Sequence, residues 1–299
     1  IVVAHTGWAL EDTSVGSDGL TRLLWANSDG RAAVWTVDNS GASSNIQVYG
    51  PFSGWRPVAL ASGGDGLTRL LWDNTNGSTA LWLLNPNNTV LRVGVYGQIP
   101  GWTAVDVGVG SGGASATRLL WDNSNGQVAV WTVSNTIPMG GSTFAISNAV
   151  VLGPITGWFA RAVAVSPADL PWVLWGNNTG PAALWELNSD NTFKTAQSYG
   201  PFAGYTARDV TVGSDSNPRL LWDNTDGTTA IWTVSGSTLA QTANVLYGPF
   251  TGYTAVALEA GSDTLTRLIW TKSDGSQALW LLNANDTFNN AFYYPPLTM

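Results

Sequence analysis

Two kinds of side chain recur together along this chain, and their types point to recognition rather than to bond-making. Directly after a glycine stand Trp8, Trp55, Trp102, Trp158, Tyr205 and Tyr253, with Phe52, Phe202 and Phe250 shortly before three of them. In a second register stand Asn27 with Asp29, Asp73 with Asn74, Asp122 with Asn123, Asn177 with Asn178, Asp223 with Asn224, and Ser273 with Asp274. An aromatic face packs on the C–H face of a sugar ring, while short amides and carboxylates in a rigid turn supply the donors and acceptors its hydroxyls need. The candidate ligand-binding residues are therefore Trp8, Asn27, Trp55, Asp73, Asn74, Trp102, Asp122, Asn123, Trp158, Asn177, Tyr205, Asp223, Asn224 and Tyr253.

Other chemistry is sparse. The chain has no Cys, so thiol nucleophiles, disulfides and thiolate metal sites are excluded. Its one His, His5, has no histidine partner for a metal and no nucleophile to activate. Glu11 and Asp12 are neighbours that a strand would point to opposite faces, and the stretches 58–62, 105–109 and 163–167 offer few carboxylates. No catalytic residue is expected. The acidic turns GSDG (16–19), GGDG (63–66) and GSDS (213–216) raise the question of calcium, which needs about six to eight oxygens.

The elements that position these groups are visible in residues 54–100. Four apolar runs, 57–61, 68–72, Thr79–Leu84 and Val90–Tyr96, are separated by GGDG, DNTNG and NPNN, and Asn-Gly chemistry makes the middle pair a hairpin. The phrase TRLLW, DN, G, ALW then recurs, which divides the chain into units 7–53, 54–100, 101–156, 157–203, 204–251 and 252–299, with residues 1–6 left over. A period of roughly 48 residues, with four strands and no helical pattern, predicts an all-β six-bladed β-propeller with four antiparallel strands per blade, a single closed domain. Residues 1–3 resemble the end of a fourth strand and are expected to add to or replace the outer strand of the last blade.

The second run of every unit ends in Trp (Trp25, Trp72, Trp121, Trp175, Trp222, Trp270), and the third carries another (Trp35, Trp82, Trp131, Trp185, Trp232, Trp280). Twelve of the 17 Trp are thus periodic and are expected to be framework. Arg22, Arg69, Arg118, Arg219 and Arg267 open the second run, where the fourth unit has Trp172 instead. They either brace the strand start, on an aromatic or a carboxylate, or touch a ligand. The third unit is lengthened by NTIPMGGS (135–142), expected as a surface bulge.

Two resemblances follow from these residues. The stretch SDGLTRLLWANSDGRAAVWTV and its variant at 217–222 resemble the FG-GAP/VCBS type of propeller repeat, which implies an Asp-rich calcium loop before a short strand ending in Trp. This chain lacks the downstream acidic ligand, places Arg nearby, and reads GSGG (110–113) in its third unit, so no metal or other cofactor is expected. The pairing of aromatics with Asn and Asp at repeated junctions looks like the β-propeller lectins, which implies weak glycan sites between blades, multiplied by repetition. On that resemblance the clefts with Trp55, Trp102, Asp73 and Asp122 are expected to be strongest. The last unit, with Thr271 and Lys272 in place of Asp-Asn, is expected to be poorest.

Composition narrows the partners. A net charge of −8 with 11% charged residues and a pI near 4.4 disfavours nucleic acid and anionic membranes. No apolar stretch reaches the ~18 residues of a spanning helix, and no basic, apolar secretory leader is visible, so membrane insertion is not expected. Low charge with abundant Gly, Ser, Thr and Asn fits a secreted or cell-surface protein. The leading expectation is a lectin for glycans or glycoconjugates; the alternatives are a protein-binding or structural scaffold and, behind it, a glycosidase-type enzyme. Oligomeric state is left open.

Overall fold

The backbone hydrogen bonds of this chain close within units rather than between them. In the computed structural model, which describes residues 7–110 and 117–296, six separate four-stranded antiparallel sheets each run in simple sequence order from first to fourth strand. The first sheet uses Trp8–Val15, Thr21–Asn27, Ala32–Val37 and Ser43–Tyr49; the last uses Tyr253–Ala260, Thr266–Lys272, Gln277–Leu282 and Phe288–Tyr294. First strands line the axis and touch their counterparts in adjacent blades, including first blade against last, so the ring closes. The result is a six-bladed propeller. Among the described residues there is no helix, and hence none long and apolar enough to cross a membrane.

Burial falls from the inside outward because each blade lies between two others. Second strands such as Thr68–Asn74 are covered on both faces and almost wholly buried, whereas fourth strands such as Val90–Tyr96 are mostly exposed. The six second-strand Trp are only 0–1% exposed, and each meets its third-strand partner at a tilt, as in Trp121–Trp131 with centroids 4.7 Å apart. Third-strand Trp are half-buried except Trp35, which is buried. Trp25 and Trp35 both meet the edge of Tyr294, so the closing junction is built like the others. The last blade supplies its own outer strand, and residues 1–3 and His5 lie outside the described residues.

Two local expectations change. The first and second strands reach further than their apolar runs suggest, because Trp55 pairs across to Asn74 and Arg56 to Asp73. The aromatics that follow each glycine and the amides expected in turns are therefore strand-end residues. The insertion at 135–142 is also not a plain bulge. It folds back on the second blade, where Ser142 O accepts the Val95 N–H at 2.8 Å and Asn135 O accepts from Arg92 at 2.7 Å. Phe144 just beyond it is buried against Gly94, where a Cβ would lie 2.4 Å from the Phe ring. Met139 at its tip is fully exposed.

Candidate functional site

The rim carrying the second-to-third turns also carries the blade-to-blade connections. The glycine before each first-strand aromatic explains the pairing: Gly54 has a φ of +79°, which a side chain would strain, and its carbonyl accepts the Thr75 N–H at 2.9 Å. The same bond joins Gly7 to Ser28, Gly157 to Asn178, Gly204 to Thr225 and Gly252 to Ser273. Across the ladder Trp8 faces Asn27, Trp55 Asn74, Trp102 Asn123, Trp158 Asn177 and Tyr205 Asn224, while Tyr253 faces Lys272. The structure thus brings five of the six aromatics beside the predicted amide within one blade, and Tyr253 beside Lys272.

The amides hold the turns. Each Oδ1 accepts a backbone N–H two residues on: Asn27 from Asp29 at 3.0 Å, Asn74 from Asn76 at 2.9 Å, Asn123 from Asn125 at 3.0 Å, Asn177 from Thr179 at 2.8 Å and Asn224 from Asp226 at 3.2 Å. The aspartates act between blades. Asp122 accepts the Ala160 N–H at 2.8 Å and Asp223 the Ala255 N–H at 3.1 Å, each from the following blade. Asp73 instead faces Arg56 at 3.4 Å. Burial raises the pKa of all three carboxyls. Two aromatics carry cations: the Arg31 guanidinium lies 5.4 Å from the Trp8 ring and Lys272 Nζ lies 5.5 Å from Tyr253.

Aromatic clefts form where a connection residue leans on the next blade's Trp pair. Phe202 meets Trp222 and Trp232 edge-on at 5.4 and 5.1 Å. Phe52 does the same to Trp72 and Trp82, and Phe250 to Trp270 and Trp280. Ile99 and Ile155 take that position at two other junctions, which makes those clefts less aromatic. At the junction of the fourth and fifth blades the arrangement opens into a cavity of about 190 Å³ lined by Phe202, Tyr205, Trp222, Ala230, Trp232, Asn244 and Leu246. Drug-sized pockets run to about 300–1,000 Å³, so this one suits a single ring. Asn244, directly across the ladder from Trp232, supplies the polar group there. Sequence reasoning missed it because fourth strands vary between units; its offset from Trp232 was the only available signal.

The acidic turns on the opposite rim have a different task. Asp18, Asp65, Asp215 and Asp263 each face the arginine four residues on with both oxygens, at 2.5 and 2.7 Å for Arg22, 2.7 and 2.7 Å for Arg69, 3.0 and 3.2 Å for Arg219, and 2.6 and 2.7 Å for Arg267. The arginine lowers the pKa of each carboxyl against the pull of its burial. These arginines are buried braces, and Arg118, equally buried, pairs with Asp169 of the next blade at 3.3 Å, so the pairing reading holds for all five. Residues 111–113 of the GSGG turn lie outside the described residues.

Carboxylates do converge on the axis. Every first strand has a bulge at one place, and the residue after it is Asp12, Ala59, Asp106, Ala162, Asp209 and Ala257 in turn. Each Asp accepts its own neighbour's N–H and one from the next blade: Leu60 at 2.6 Å, Val163 at 2.7 Å and Leu258 at 2.7 Å. With Glu259 they line a channel cavity of about 70 Å³. Burial and mutual repulsion push Asp12 and Asp106 well up, burial takes Asp209 to about 6, and burial with repulsion takes Glu259 to about 7. The sequence does contain this pattern, as an Asp at a fixed offset in alternate units.

With this geometry in place, comparison with solved structures finds proteins of similar fold. AofleA from Arthrobotrys oligospora is 11% identical, with a TM-score of 0.66, covering 100% of this chain and 88% of that one. A triple arginine-to-alanine variant of AofleA gives 12% identity, a TM-score of 0.67 and the same coverage. A variant of the Aleuria aurantia lectin AAL in complex with Fucα1-6GlcNAc is 11% identical, with a TM-score of 0.68, covering 98% of this chain and 99% of that one. At this identity the likeness is one of fold. No family model matches the chain, and neither does any curated protein.

Proposed function

We propose that this protein is a non-catalytic carbohydrate-binding protein that holds glycans in aromatic clefts at blade junctions, several to a chain. The observation that carries this reading is the Phe202–Tyr205–Trp232 cleft with Asn244 at its wall, which has partial counterparts around the ring. A sugar ring stacks on the half-buried indole, and the amide of Asn244 donates to one hydroxyl and accepts from another. In this reading Tyr205 and Tyr253, with Trp55, Trp102 and Trp158, wall the clefts, whereas Trp8, 4% exposed, belongs to the core. Asn27, Asn74, Asn123, Asn177 and Asn224 fix the turns beside them, Asp122 and Asp223 tie neighbouring blades together, and Asp73 pairs with Arg56 of its own blade.

Each site is shallow and individually weak; several engaging one glycan-coated surface raise avidity by about 10²–10⁴. Glycans on exported or cell-surface molecules are the partners, and the low charge and Gly/Ser/Thr/Asn-rich composition support an extracellular location. The Aleuria lectin's bound Fucα1-6GlcNAc makes fucosylated glycans the first probes. A glycan array with purified protein tests the proposal. Selective binding that Asn244→Ala weakens without a fall in melting temperature supports it; an array with no glycan bound above background overturns it.

A further inference from the structure

The fourth blade carries an arginine without an acid. At the first-strand bulge the fourth and fifth blades place Arg161 and Arg208, where the others have Glu11, Val58, Val105 and Val256. Arg208 has a carboxylate to meet: its Nη2 donates to Asp223 Oδ2 at 3.3 Å, on the second strand of its own blade. Asp223 opens that blade's Asp-Asn pair, and in the fourth blade the same position is Gly176. Arg161 therefore has no acid of this kind, and it makes no ion pair and no hydrogen bond among the described residues.

An aromatic face takes the place of the missing carboxylate. The Arg161 guanidinium lies 4.6 Å from the Phe159 ring, and a Cβ at Gly176 would come within 2.8 Å of that ring and 2.9 Å of Arg161 Nε. Nε is thereby buried without a partner, whereas the two Nη atoms, equally unpartnered, reach solvent from a half-buried residue. The Arg208 side chain, 38% exposed, lies close enough for its charge to lower the Arg161 pKa, second only to burial. Two guanidiniums beside the one carboxylate of Asp223 leave a local excess of positive charge, on a chain whose net charge is −8. The channel acids Asp106 and Asp209 do not pair with it, because each spends both oxygens on backbone N–H groups. Holding one partly buried cation against another costs free energy that an incoming anion returns.

We propose that Arg161 and Arg208 bind the carboxylate of an acidic sugar residue on the axial side of the junction between the fourth and fifth blades. The carboxylate accepts from the Nη1–Nη2 end of Arg161, a planar fork that matches its two oxygens, and Arg208 adds a second positive charge. A monoanion fits better than a phosphate dianion, because Asp223 already offsets one of the two guanidiniums. The sugar half of the proposal rests on the glycan-binding function proposed above; the carboxylate half does not. Neither arginine lines the aromatic cleft at this junction, so the two sites are separate. The connections and turns of this rim in both blades, 153–158, 177–181, 200–205 and 224–228, all lie within the described residues.

The test is arginine-selective ¹⁵N NMR of the full chain, with the Arg161 and Arg208 Nε–Hε signals assigned by their loss in Arg161→Gln and Arg208→Gln. Methyl β-D-glucuronide, the methyl α-glycoside of N-acetylneuraminic acid, methyl β-D-glucoside and acetate are titrated in turn against wild type, Arg161→Gln, Gly176→Asp and Asn244→Ala. At least one acidic sugar should shift both signals saturably, and the glucoside, a ring without the carboxylate, should not. Arg161→Gln, read on the Arg208 signal, should weaken that affinity by about tenfold or more, the scale of a hydrogen bond to a charged group. Gly176→Asp should weaken it similarly, because it restores the internal carboxylate that Asp223 supplies in the next blade. Asn244→Ala should leave it unchanged, so failure of this site and failure of the aromatic clefts are told apart. No saturable shift with either acidic sugar, equal affinity for the glucoside or for acetate, or wild-type affinity in Arg161→Gln overturns the proposal.

Discussion

Raising the pH should weaken this fold across a range where most carboxylates have long finished titrating. Glu259 faces the channel from the last blade, with Asp209 of the fifth blade repelling its charge and Arg267 of its own sheet attracting it; burial dominates and takes its pKa to about 7. A carboxyl held above its unfolded value is stabilised in the protonated form. Its full contribution is present below the unfolded pKa, falls as pH rises, and is gone above about 7. A move from 4.5 to about 7 corresponds to ~3 kcal/mol, a large share of the 5–15 kcal/mol that holds a typical domain. Asp209, raised to about 6, acts in the same direction but is coupled to Glu259, so the two contributions do not add.

Glu259→Gln isolates the effect, because a Gln oxygen can still accept the Thr211 hydroxyl that Glu259 accepts at 2.9 Å. Urea denaturation of both proteins from about pH 4 to about pH 8 should show wild type losing stability with rising pH and the variant losing ~3 kcal/mol less. Below about pH 4 the sign reverses. There Asp18, Asp65, Asp215 and Asp263, held below their ordinary pKa, lose their arginine pairing as they protonate. Wild-type stability that is flat or rising from about pH 5 to about pH 8, or a variant with the wild-type slope, refutes the reasoning.

Three further outcomes follow from the packing. Trp121→Ala should cost about 3–5 kcal/mol in urea denaturation, since an indole 1% exposed and stacked on Trp131 leaves a void that two blades cannot close. Asp65→Ala should cost about 3–5 kcal/mol by the same measurement, because it leaves the wholly buried Arg69 without its carboxylate. Chelation with EDTA should leave the melting temperature unchanged, because both oxygens of each turn aspartate already face arginine; a drop reversed by calcium would show that those turns hold metal.

Fold and blade count were legible because each unit repeats the same apolar runs and turn residues, and the runs Thr79–Leu84 and Val90–Tyr96 coincide with observed strands. The pairing of Trp55 with Asn74 was also legible, because Gly54 and the Asn-Gly turn fix the rim. What those polar groups do was not. Whether Asn74 meets a ligand or its own turn, and whether Asp122 meets a ligand or the Ala160 N–H, depends on inter-blade distances that no spacing encodes. The channel acids were hidden for a related reason: alternation sends Glu11 and Asp12 to opposite faces, but the bulge between Leu10 and Asp12 resets the phase and turns Asp12 to the axis.

The central claim is that glycans bind in aromatic clefts at blade junctions. Isothermal titration with the best array glycan, comparing wild type with Phe202→Ala and Asn244→Ala, tests it most directly. The account predicts more than one weak site per chain, with either substitution removing the tightest of them while the melting temperature stays near wild type. A single site that ignores both substitutions, or a glycan that crystallography places in the central channel, would contradict it.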